Sequence, residues 1–284
     1  MEPIGILKDG QVYDLQTALA LNIQGVEIKA DDSKESLDIL RHSCAHMMAQ
    51  AIKELYPEAK FFVGPVVKEG FYYDFKVESK ISDEDLPTIE KKMKEIADRK
   101  LPITRHETTK EEFFEKFKND ELKQAVLKNI KDDTLTIYKQ GDFEDLCRGP
   151  HLPNTRMIRS FKLTRVAGAY LGGDEKNEMI TRIYGIAFFD KQALFDYTKM
   201  IEEAKKRDHR KLGTELELFT FNDDVGAGLP MWLPNGARLR SKLEHLLYKA
   251  HRVRGYEPVR GPEILKAEMW KISGHYANYK ENMY

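Results

Sequence analysis

The chain has 284 residues, of which 41% are apolar, so it is long enough to bury a sizeable core and to form two domains. Its 46 basic and 47 acidic residues nearly cancel, so net charge neither indicates nor excludes a nucleic-acid partner. Two cysteines do not make a disulfide framework, and the sequence shows neither a signal segment nor an apolar run of membrane-spanning length. We therefore expect a cytoplasmic protein with no membrane partner.

The N-terminal third predicts a short segment followed by a long helix. Residues 1–34 contain a Lys-Asp-Gly turn between two apolar runs, which is typical of a hairpin. Asp32 and Glu35 have the spacing of a helix N-cap, and Pro57 ends the helical pattern. The apolar positions between them recur every three or four residues and predict an amphipathic helix: Leu37, Leu40, Cys44, Met47, Met48, Ala51 and Leu55.

Further along the chain, strand and helix patterns alternate. Residues 60–77 predict a strand, a turn and a strand with Phe71, Tyr73 and Phe75 on one face and Tyr72 and Asp74 on the other. The remaining elements follow from periodicity and turn residues. Helices are predicted over 84–99, 109–130, 191–211 and 236–254; β-rich runs over 134–141, 142–151, 161–173, 179–189 and 215–221; and an extended segment over 255–265.

Two pairs of metal-ligating side chains stand out. His42 and His46 are four residues apart, so on a helix both imidazoles point to one side. Cys147 and His151 are separated by three residues in a Gly-Pro loop. Position 43 is serine, so the first pair is not the H-E-x-x-H motif of a zinc peptidase. Together the four side chains could hold Zn²⁺ tetrahedrally.

The same groups could also act without a metal. An imidazole can activate or orient a water molecule, and Cys147 could be a nucleophile if a neighbouring imidazolium lowered its pKa. Asp145, two residues before Cys147, would lie on the same side of a strand and could hold a water or an amino group. A lone H-x-x-x-H pair arises often by chance, and spacing alone does not bring the two pairs together.

Several long strings resemble the editing domain of bacterial threonyl-tRNA synthetases. They are RHSCAHMMAQAIKELYPEAKFFVGPVVKEGFYYDF, DLCRGPHLPNT, FKLTRVAGAYLGGDEKNEMITRIYGIAFFDKQAL and EEAKKRDHRKLGTELELF. The likeness extends from about Ser36 to the last residue. It implies an α+β editing domain with an antiparallel sheet and flanking helices over 35–190, after an abbreviated N-terminal segment over 1–34. A linker helix would cover 191–212.

The resemblance also implies which residues line the editing pocket. His42, His46, Cys147 and His151 match its two histidines and its C-R-G-P-H loop, and Asp145 matches its acidic residue. Lys123 matches a lysine that is implicated in the hydrolysis and is the last of the implied pocket residues. The alternative is that Lys123 is a solvated lysine on the surface of a helix. Related alanyl editing proteins bind zinc with a comparable set, whereas the threonyl site is described as working without a metal. We expect no cofactor for editing.

Residues 213–284 resemble the opening of a class II synthetase catalytic domain, so an incomplete α/β domain is expected there. LPNGARLRSKLEHLLYKAHRVRGYEPVRGPEI resembles its first motif, which in the family lies at the interface of a homodimer. The chain stops before the second and third motifs and before the Cys-His-His zinc site. We therefore expect that this chain alone does not aminoacylate tRNA. The chain would be either a truncated or a natural short form of the synthetase. ATP, Mg²⁺ and Zn²⁺ are expected for the full-length enzyme alone.

The implied partner is tRNA(Thr), contacted mainly at its phosphates. Arg148 lies near the pocket, and a basic cluster lies at the end of the linker helix: Lys205, Lys206, Arg207, Arg210 and Lys211. The alternative for the cluster is a solvated helix face.

The resulting hypothesis is a deacylase that removes serine from Ser-tRNA(Thr). The seryl ester would enter a cleft between the His42/His46 helix and the 147–151 loop, where imidazoles, Asp145 and Lys123 orient a water molecule and move protons. A missing methyl is worth about 1–3 kcal/mol, too little for one site to reject serine. Three alternatives remain open: a free-standing trans-editing deacylase, a non-enzymatic tRNA-binding paralogue and a zinc hydrolase of unrelated substrate.

Overall fold

The computed structural model describes residues 2–128, 130, 134–226 and 228–282. Its internal contacts divide the chain into two compact units, Met1–Ile201 and Glu202–Tyr284. The division falls within a helix that belongs to the predicted linker. The domain boundaries at 34, 190 and 212 remain predictions, and each unit is described by itself.

The first unit contains most of the secondary structure. Its helices are α1 (Leu15–Ala20), α2 (Lys34–Leu55), α3 (Leu86–Asp98), α4 (Lys110–Lys116), α5 (Glu121–Lys128) and α6 (Lys191–Lys206), which continues into the second unit. Its strands are β1 (Pro3–Lys8), β2 (Gln11–Asp14), β3 (Val26–Lys29), β4 (Lys60–Phe61), β5 (Val66–Val67), β6 (Gly70–Lys76), β7 (Ile103–Thr109), β8 (Thr134–Gln140), β9 (Phe143–Leu146), β10 (Ser160–Tyr170) and β11 (Met179–Phe188). Short 3₁₀ turns occupy Asp83–Asp85, Thr155–Met157 and Leu171–Gly173.

These strands form three antiparallel sheets among the described residues, which confirms the predicted α+β class. The N-terminal sheet has the order β2-β1-β3, and the largest sheet has the order β10-β11-β6-β4, with β5 also paired to β6. The third sheet has the order β7-β8-β9. Helix α2 packs against β6 and β11 of the largest sheet. The residues predicted to form the site therefore come from α2 on one side and from the β7-β8-β9 sheet, the loop after it and α5 on the other.

Helix α2 is the central element of the core. It buries an unbroken run from Ser43 to Ile52, whereas a surface helix buries one stripe. The helix begins one residue later than predicted, because Ser33 takes the N-cap position. The Asp32 carboxylate instead accepts a hydrogen bond from the Phe189 amide at 2.9 Å, which ties the start of α2 to the end of the β11 hairpin.

The predicted two-faced strand is present in β6. Phe71, Tyr73 and Phe75 are all at most 1% exposed and face the core. On the other face, Asp74 is also buried, because the Arg182 guanidinium forms two hydrogen bonds with its carboxylate at 2.6 and 2.7 Å. The same guanidinium stacks over the Tyr72 ring at 3.9 Å, so a cross-strand pair covers this face of the sheet.

Two predicted helices are divided in the structure. The pattern over 109–130 becomes α4 and α5, because the Asp120 carboxylate accepts from the Leu122 and Lys123 amides at 3.1 Å and starts a new helix. Residue 129, within that prediction, lies outside the described residues. The pattern over 191–211 becomes α6 and α7 (His209–Glu215) because Asp208 caps α7, its carboxylate accepting from the Arg210 amide at 2.8 Å.

The second unit contains α7, α8 (Pro234–Arg252), α9 (Ala267–Ile272), α10 (His275–Tyr279) and a 3₁₀ turn at Lys280–Asn282. The strand predicted over 215–221 shortens to β12 (Phe219–Thr220), paired with β13 (Met231–Trp232), because backbone bonds of α7 extend through Leu216. The predicted helix over 236–254 is confirmed as α8, and 255–265 contains no strand or helix. None of the helices in the described ranges combines the length and the apolar character needed to cross a membrane.

A substitution at Gly5 tests how the N-terminal sheet packs on α2. A Cβ at Gly5 would lie 2.7 Å from the Tyr13 carbonyl oxygen and 2.9 Å from Ile39 Cδ1. Gly5→Ala should therefore lower the free energy of unfolding of the first unit by about 1–3 kcal/mol through overpacking. Gly261→Ala is the matched control, since nothing lies within 4 Å of its added Cβ.

The measurement is hydrogen exchange of α2 peptides by mass spectrometry. Tryptophan fluorescence does not serve here, because both tryptophans, Trp232 and Trp270, belong to the second unit. Equal protection of α2 in the Gly5 and Gly261 variants would show that the close approach at Gly5 is not a packing constraint.

Candidate active site

Four side chains from two distant parts of the sequence meet in the first unit. His42 and His46 project from one side of α2, and Cys147 and His151 lie in the loop that follows β9. One imidazole nitrogen from each histidine and the cysteine sulfur all lie within 4.8 Å of one another. The three imidazole rings are 4.4–5.1 Å apart between centroids. Tertiary packing of the loop on the helix, which the spacing of the motifs did not determine, creates this cluster.

Hydrogen bonds join the helix side of the cluster to the loop side. His42 Nε2 is 2.7 Å and His151 Nε2 is 3.3 Å from Cys147 Sγ, and the Gly149 amide donates to the same sulfur at 3.0 Å. The predicted cleft between helix and loop is therefore closed at this point, because the sulfur contacts both imidazoles. His46 and His151 are buried, whereas His42 and Cys147 are partly exposed.

Ser43 determines which nitrogen of His151 carries a proton. Its hydroxyl donates to the Ile39 carbonyl at 2.9 Å and accepts from the Leu152 amide at 2.8 Å. With its one hydrogen already used, Ser43 Oγ faces His151 Nδ1 at 3.3 Å as an acceptor. His151 is therefore protonated at Nδ1 and presents the lone pair of Nε2 to Cys147.

The set has the chemistry of a zinc site, since three imidazoles and a thiol are ligands that Zn²⁺ prefers. Tetrahedral zinc with bonds of about 2.0–2.3 Å would hold its ligand atoms roughly 3.3–3.8 Å apart. The 2.7 Å separation of His42 Nε2 and Cys147 Sγ is shorter than this spacing. Zinc binding would require these two side chains to move apart.

Burial keeps the cluster uncharged at neutral pH. Withdrawal from water, reinforced by His46, lowers the pKa of His42 to about 3. Burial lowers the pKa of His46 to about 4, even though the Asp145 charge opposes the shift, and it lowers the pKa of His151 well below its usual value. Burial also raises the pKa of the Cys147 thiol. Neutral imidazoles and a protonated thiol are the resulting state.

A buried ion pair lies next to the imidazoles. Lys123, on α5, donates to the Asp145 carboxylate at the end of β9, and both residues are at most 4% exposed. Burial alone would raise the pKa of Asp145, but the Lys123 ammonium and His46, with hydrogen bonds from Lys123 and Tyr73, outweigh it and lower that pKa. The carboxylate therefore stays ionised. The interpretation of Lys123 as a solvated helix lysine is wrong.

Two cavities border the site. The first, of about 620 Å³, is lined by Lys123 and Asp145 together with apolar residues that include Phe61 and Phe143. The second, of about 400 Å³, is lined by Cys147 and Arg148. A ligand can reach the ion pair from the first cavity and the thiol from the second.

Sequence reasoning missed four residues that complete the site. Tyr73 donates to the Asp145 carboxylate, and burial raises the pKa of Tyr73 well above its usual value, so its hydroxyl stays protonated. Ser43 orients His151, and Asp14 and Tyr138 lie behind the loop. Alternation predicted only that Tyr73 shares a strand face with Phe71 and Phe75, and nothing in a single sequence distinguished a core tyrosine from one that bonds a buried carboxylate.

Comparison with known proteins agrees with this architecture. Residues 135–184, which include Asp145, Cys147 and His151, match the family described as "Threonyl and Alanyl tRNA synthetase second additional domain". The threonine–tRNA ligase of Campylobacter jejuni is 69% identical over 283 residues, which is all of this chain and 47% of that protein. Those of Campylobacter lari and Helicobacter hepaticus are 74% and 66% identical over 89% and 100% of this chain.

The chain belongs to the threonine–tRNA ligase family. It spans about half the length of these curated relatives, 47% for the proteins of C. jejuni and H. hepaticus and 42% for that of C. lari. The resemblance of the editing strings to this family is thereby confirmed.

In this member of the threonine–tRNA ligase family, the basic cluster belongs to the second unit and is largely paired with acidic neighbours. Lys205, Lys206, Arg207, Arg210 and Lys211 are all exposed. Glu203 lies 2.7 Å from Lys206, Asp208 lies 2.6 Å from Arg210 and Glu215 lies 3.8 Å from Lys211. Such surface pairs contribute little to stability. Arg148 is exposed in the loop beside Cys147.

Removing the Lys123 charge should be much more damaging than removing a surface lysine. Lys123→Met leaves the Asp145 carboxylate buried without its counter-ion, which should cost about 3–5 kcal/mol of unfolding free energy. Lys116→Met is the control, because Lys116 pairs with Glu144 of the same strand but is 49% exposed, so its loss should cost at most about 1 kcal/mol. Similar exchange protection of α2 peptides in both variants would contradict a stabilising buried pair.

The unfolding free energy should fall as the pH is lowered from about 6.5 to about 4. In this window unfolded histidines bind protons, whereas folded His42 and His46, with pKa values of about 3 and 4, stay neutral. Each such imidazole contributes a slope of about 1.4 kcal/mol per pH unit. His42→Gln should remove one such contribution, and His245→Gln, an exposed histidine of α8, is the control.

Hydrogen exchange of α2 peptides at several pH values, corrected for intrinsic exchange and recorded with a chelator present, measures these slopes. A wild-type slope that His42→Gln leaves unchanged would show that His42 is not the group held neutral by the fold.

Proposed function

We propose that this chain hydrolyses the seryl ester of mischarged Ser-tRNA(Thr). The observation that carries the proposal is the set of three neutral imidazoles and a thiol, with His46 and His151 buried, beside an ionised carboxylate–ammonium pair and two cavities. A neutral imidazole can accept a proton from water, and a fixed ion pair can orient the charged amino group of an aminoacyl ester.

The larger cavity has the size and lining that a terminal nucleoside requires. Its volume of about 620 Å³ lies within the range of small-molecule sites, and its aromatic rings offer stacking surfaces. We assign the seryl ammonium to Asp145, whose Oδ2 accepts from the Tyr73 hydroxyl and has capacity for a second donor. Arg148, beside the second cavity, is placed to contact a phosphate.

The reaction is a water attack on an activated acyl group. The water oxygen bonds to the ester carbonyl carbon, and the bond from that carbon to the ribose oxygen breaks. We assign the proton of the attacking water to His42, the partly exposed imidazole, whose Nε2 would exchange its contact with Cys147 Sγ for one with the water; the same proton then moves to the departing ribose oxygen. The products are serine and tRNA(Thr).

A covalent Cys147 adduct is not required. Burial raises the pKa of the thiol, so the nucleophilic thiolate is scarce at neutral pH. The sulfur instead accepts the Gly149 amide and contacts two imidazoles, which fixes the loop on the helix. Its role in the proposal is to position His42 and His151.

Rejection of threonine rests on the tightness of this site. Serine is one methyl smaller than threonine, and a missing methyl changes binding by about 1–3 kcal/mol, so a synthetic site admits some serine. A second site that excludes the extra methyl hydrolyses the smaller ester selectively. The contact between His42 and Cys147 leaves little room beside the imidazoles, which supports exclusion by size.

The activity of the whole protein is a wider proposal. The relatives are threonine–tRNA ligases, and by that relationship the full-length protein would attach threonine to tRNA(Thr) with ATP and Mg²⁺. A homodimer, a structural class II domain from residue 213 and a zinc site for threonine belong to the same proposal. The wider proposal also includes contact between tRNA and the basic cluster from Lys205 to Lys211.

The decisive measurement compares the deacylation of Ser-tRNA(Thr) and Thr-tRNA(Thr). The seryl ester should be lost at least about tenfold faster than the threonyl ester, which is the discrimination one methyl supplies. His42→Ala/His46→Ala should lose activity by about 100-fold or more, because general acid–base groups contribute at least that factor. The matched control, His245→Ala/His251→Ala, removes two exposed histidines from α8 and should keep the wild-type rate.

Cys147→Ser and a chelator complete the design. If the sulfur positions its neighbours, Cys147→Ser should retain at least about a tenth of the rate, whereas complete loss would favour a covalent thioester. Loss of activity on chelation would favour a zinc hydrolase. No hydrolysis of either ester by folded protein would contradict the proposal for this chain, and the full-length protein would then show whether tRNA presentation was missing.

A further inference from the structure

The carboxylate of Asp14, in the N-terminal segment, lies directly behind the loop that carries His151. Asp14 is 2% exposed and ends β2. Its Oδ1 accepts from the Thr17 amide at 2.7 Å, which caps helix α1. Its Oδ2 accepts from the His151 backbone amide at 3.1 Å and from the Tyr138 hydroxyl at 2.6 Å. One carboxylate thus links a helix start, a strand and the loop.

The loop is pressed closely against this carboxylate. Gly149 has φ +72°, and a Cβ there would lie 2.5 Å from Tyr138 Oη and 2.8 Å from Asp14 Oδ2. The position therefore needs glycine both for its backbone conformation and for space. A larger residue at this position would push the loop away from the carboxylate, whereas the hydrogen bond from the His151 amide holds the loop against it.

Tyr138 extends the same support to the imidazole. Its ring centroid is 4.4 Å from that of His151, and its hydroxyl is held between Asp14 and Thr17 Oγ1, the latter at 3.1 Å. The backbone of His151 is fixed by Asp14 and its ring is backed by Tyr138. His151 Nε2 then faces Cys147 from a defined direction.

We propose that Asp14 is a positioning residue for the hydrolytic site, acting through the 149–151 loop on His151. The inference rests on the proposed deacylase function. It gives the N-terminal segment a specific role, because the segment supplies the buried carboxylate that accepts a hydrogen bond from the His151 amide. A charged acceptor makes a stronger hydrogen bond to an amide than a neutral one does.

A purely mechanical role for the segment is the alternative, and Gln16 separates the two. Gln16 follows Asp14 by two residues and docks the segment on β7, since its side chain donates to the Ile103 carbonyl and accepts from the Arg105 amide at 2.6 Å. Gln16→Ala weakens docking and leaves the Asp14 bonds to the loop in place. It is the matched control.

The test variant is Asp14→Ser. Serine is a good N-cap and keeps the bond to the Thr17 amide, but it is too short to hold the His151 amide as well. Asp14→Ser should lower kcat for Ser-tRNA(Thr) deacylation about tenfold with KM unchanged, because His151 contacts Cys147, which positions His42, and small displacements of a catalytic group cost rate rather than binding. Tyr138→Phe, which keeps the ring and loses the hydroxyl, should show a smaller loss in kcat. Gln16→Ala should stay within about twofold of wild type.

A readout independent of activity separates failure of this inference from failure of the proposed function. In protein labelled with ¹⁵N-histidine, the His151 ring signals, assigned with His151→Gln, should shift in Asp14→Ser and stay in place in Gln16→Ala. If the wild type does not deacylate, these signals still decide the positioning role. Unmoved His151 signals in Asp14→Ser, or equal changes in both variants, would overturn it; if Asp14→Ser does not fold, an unchanged kcat in Tyr138→Phe would do so.

Discussion

The buried ion pair between Lys123 and Asp145 is the interaction on which the electrostatics of the site depend. Two charges removed from water are tolerated when they are close together and when their remaining hydrogen-bonding capacity is used. Here Tyr73 and the Leu146 amide donate to the carboxylate in addition to Lys123. The imidazoles beside the pair thus lie next to a satisfied charge and can remain neutral. This state, neutral bases beside a fixed carboxylate, supports the proposed ester hydrolysis by water.

The site also depends on how three layers meet. Helix α2 is buried nearly all round because the large sheet covers one side and the 147–151 loop covers another. The loop is fixed to the helix through Cys147 and Ser43, and to the N-terminal segment through Asp14. Each contact joins residues more than a hundred positions apart in the sequence. Local stability and site geometry therefore arise from the same long-range packing. We expect substitutions in the N-terminal segment to alter the geometry of the site although the segment does not contact a substrate in the proposal.

The second unit contributes a different kind of surface. The basic residues from Lys205 to Lys211 are exposed, and their acidic neighbours within the same helices neutralise much of the charge. The relatives that share this chain's sequence are about twice as long. The proposed hydrolysis would thus be one of two activities proposed for the full-length protein, the other being the attachment of threonine to tRNA(Thr).

The sequence by itself determined the elements whose signals are local. Periodicity predicted α2, α3, α8 and the two faces of β6, and the strings around His42 and Cys147 indicated the family. Local side-chain caps divided two predicted helices, because Asp120 and Asp208 compete for backbone amides in a way that apolar periodicity does not reveal. Only the tertiary structure decided that the two motif pairs touch and that Lys123 is buried. Those outcomes depend on burial and on contacts between distant residues, for which a single sequence carries no local signal.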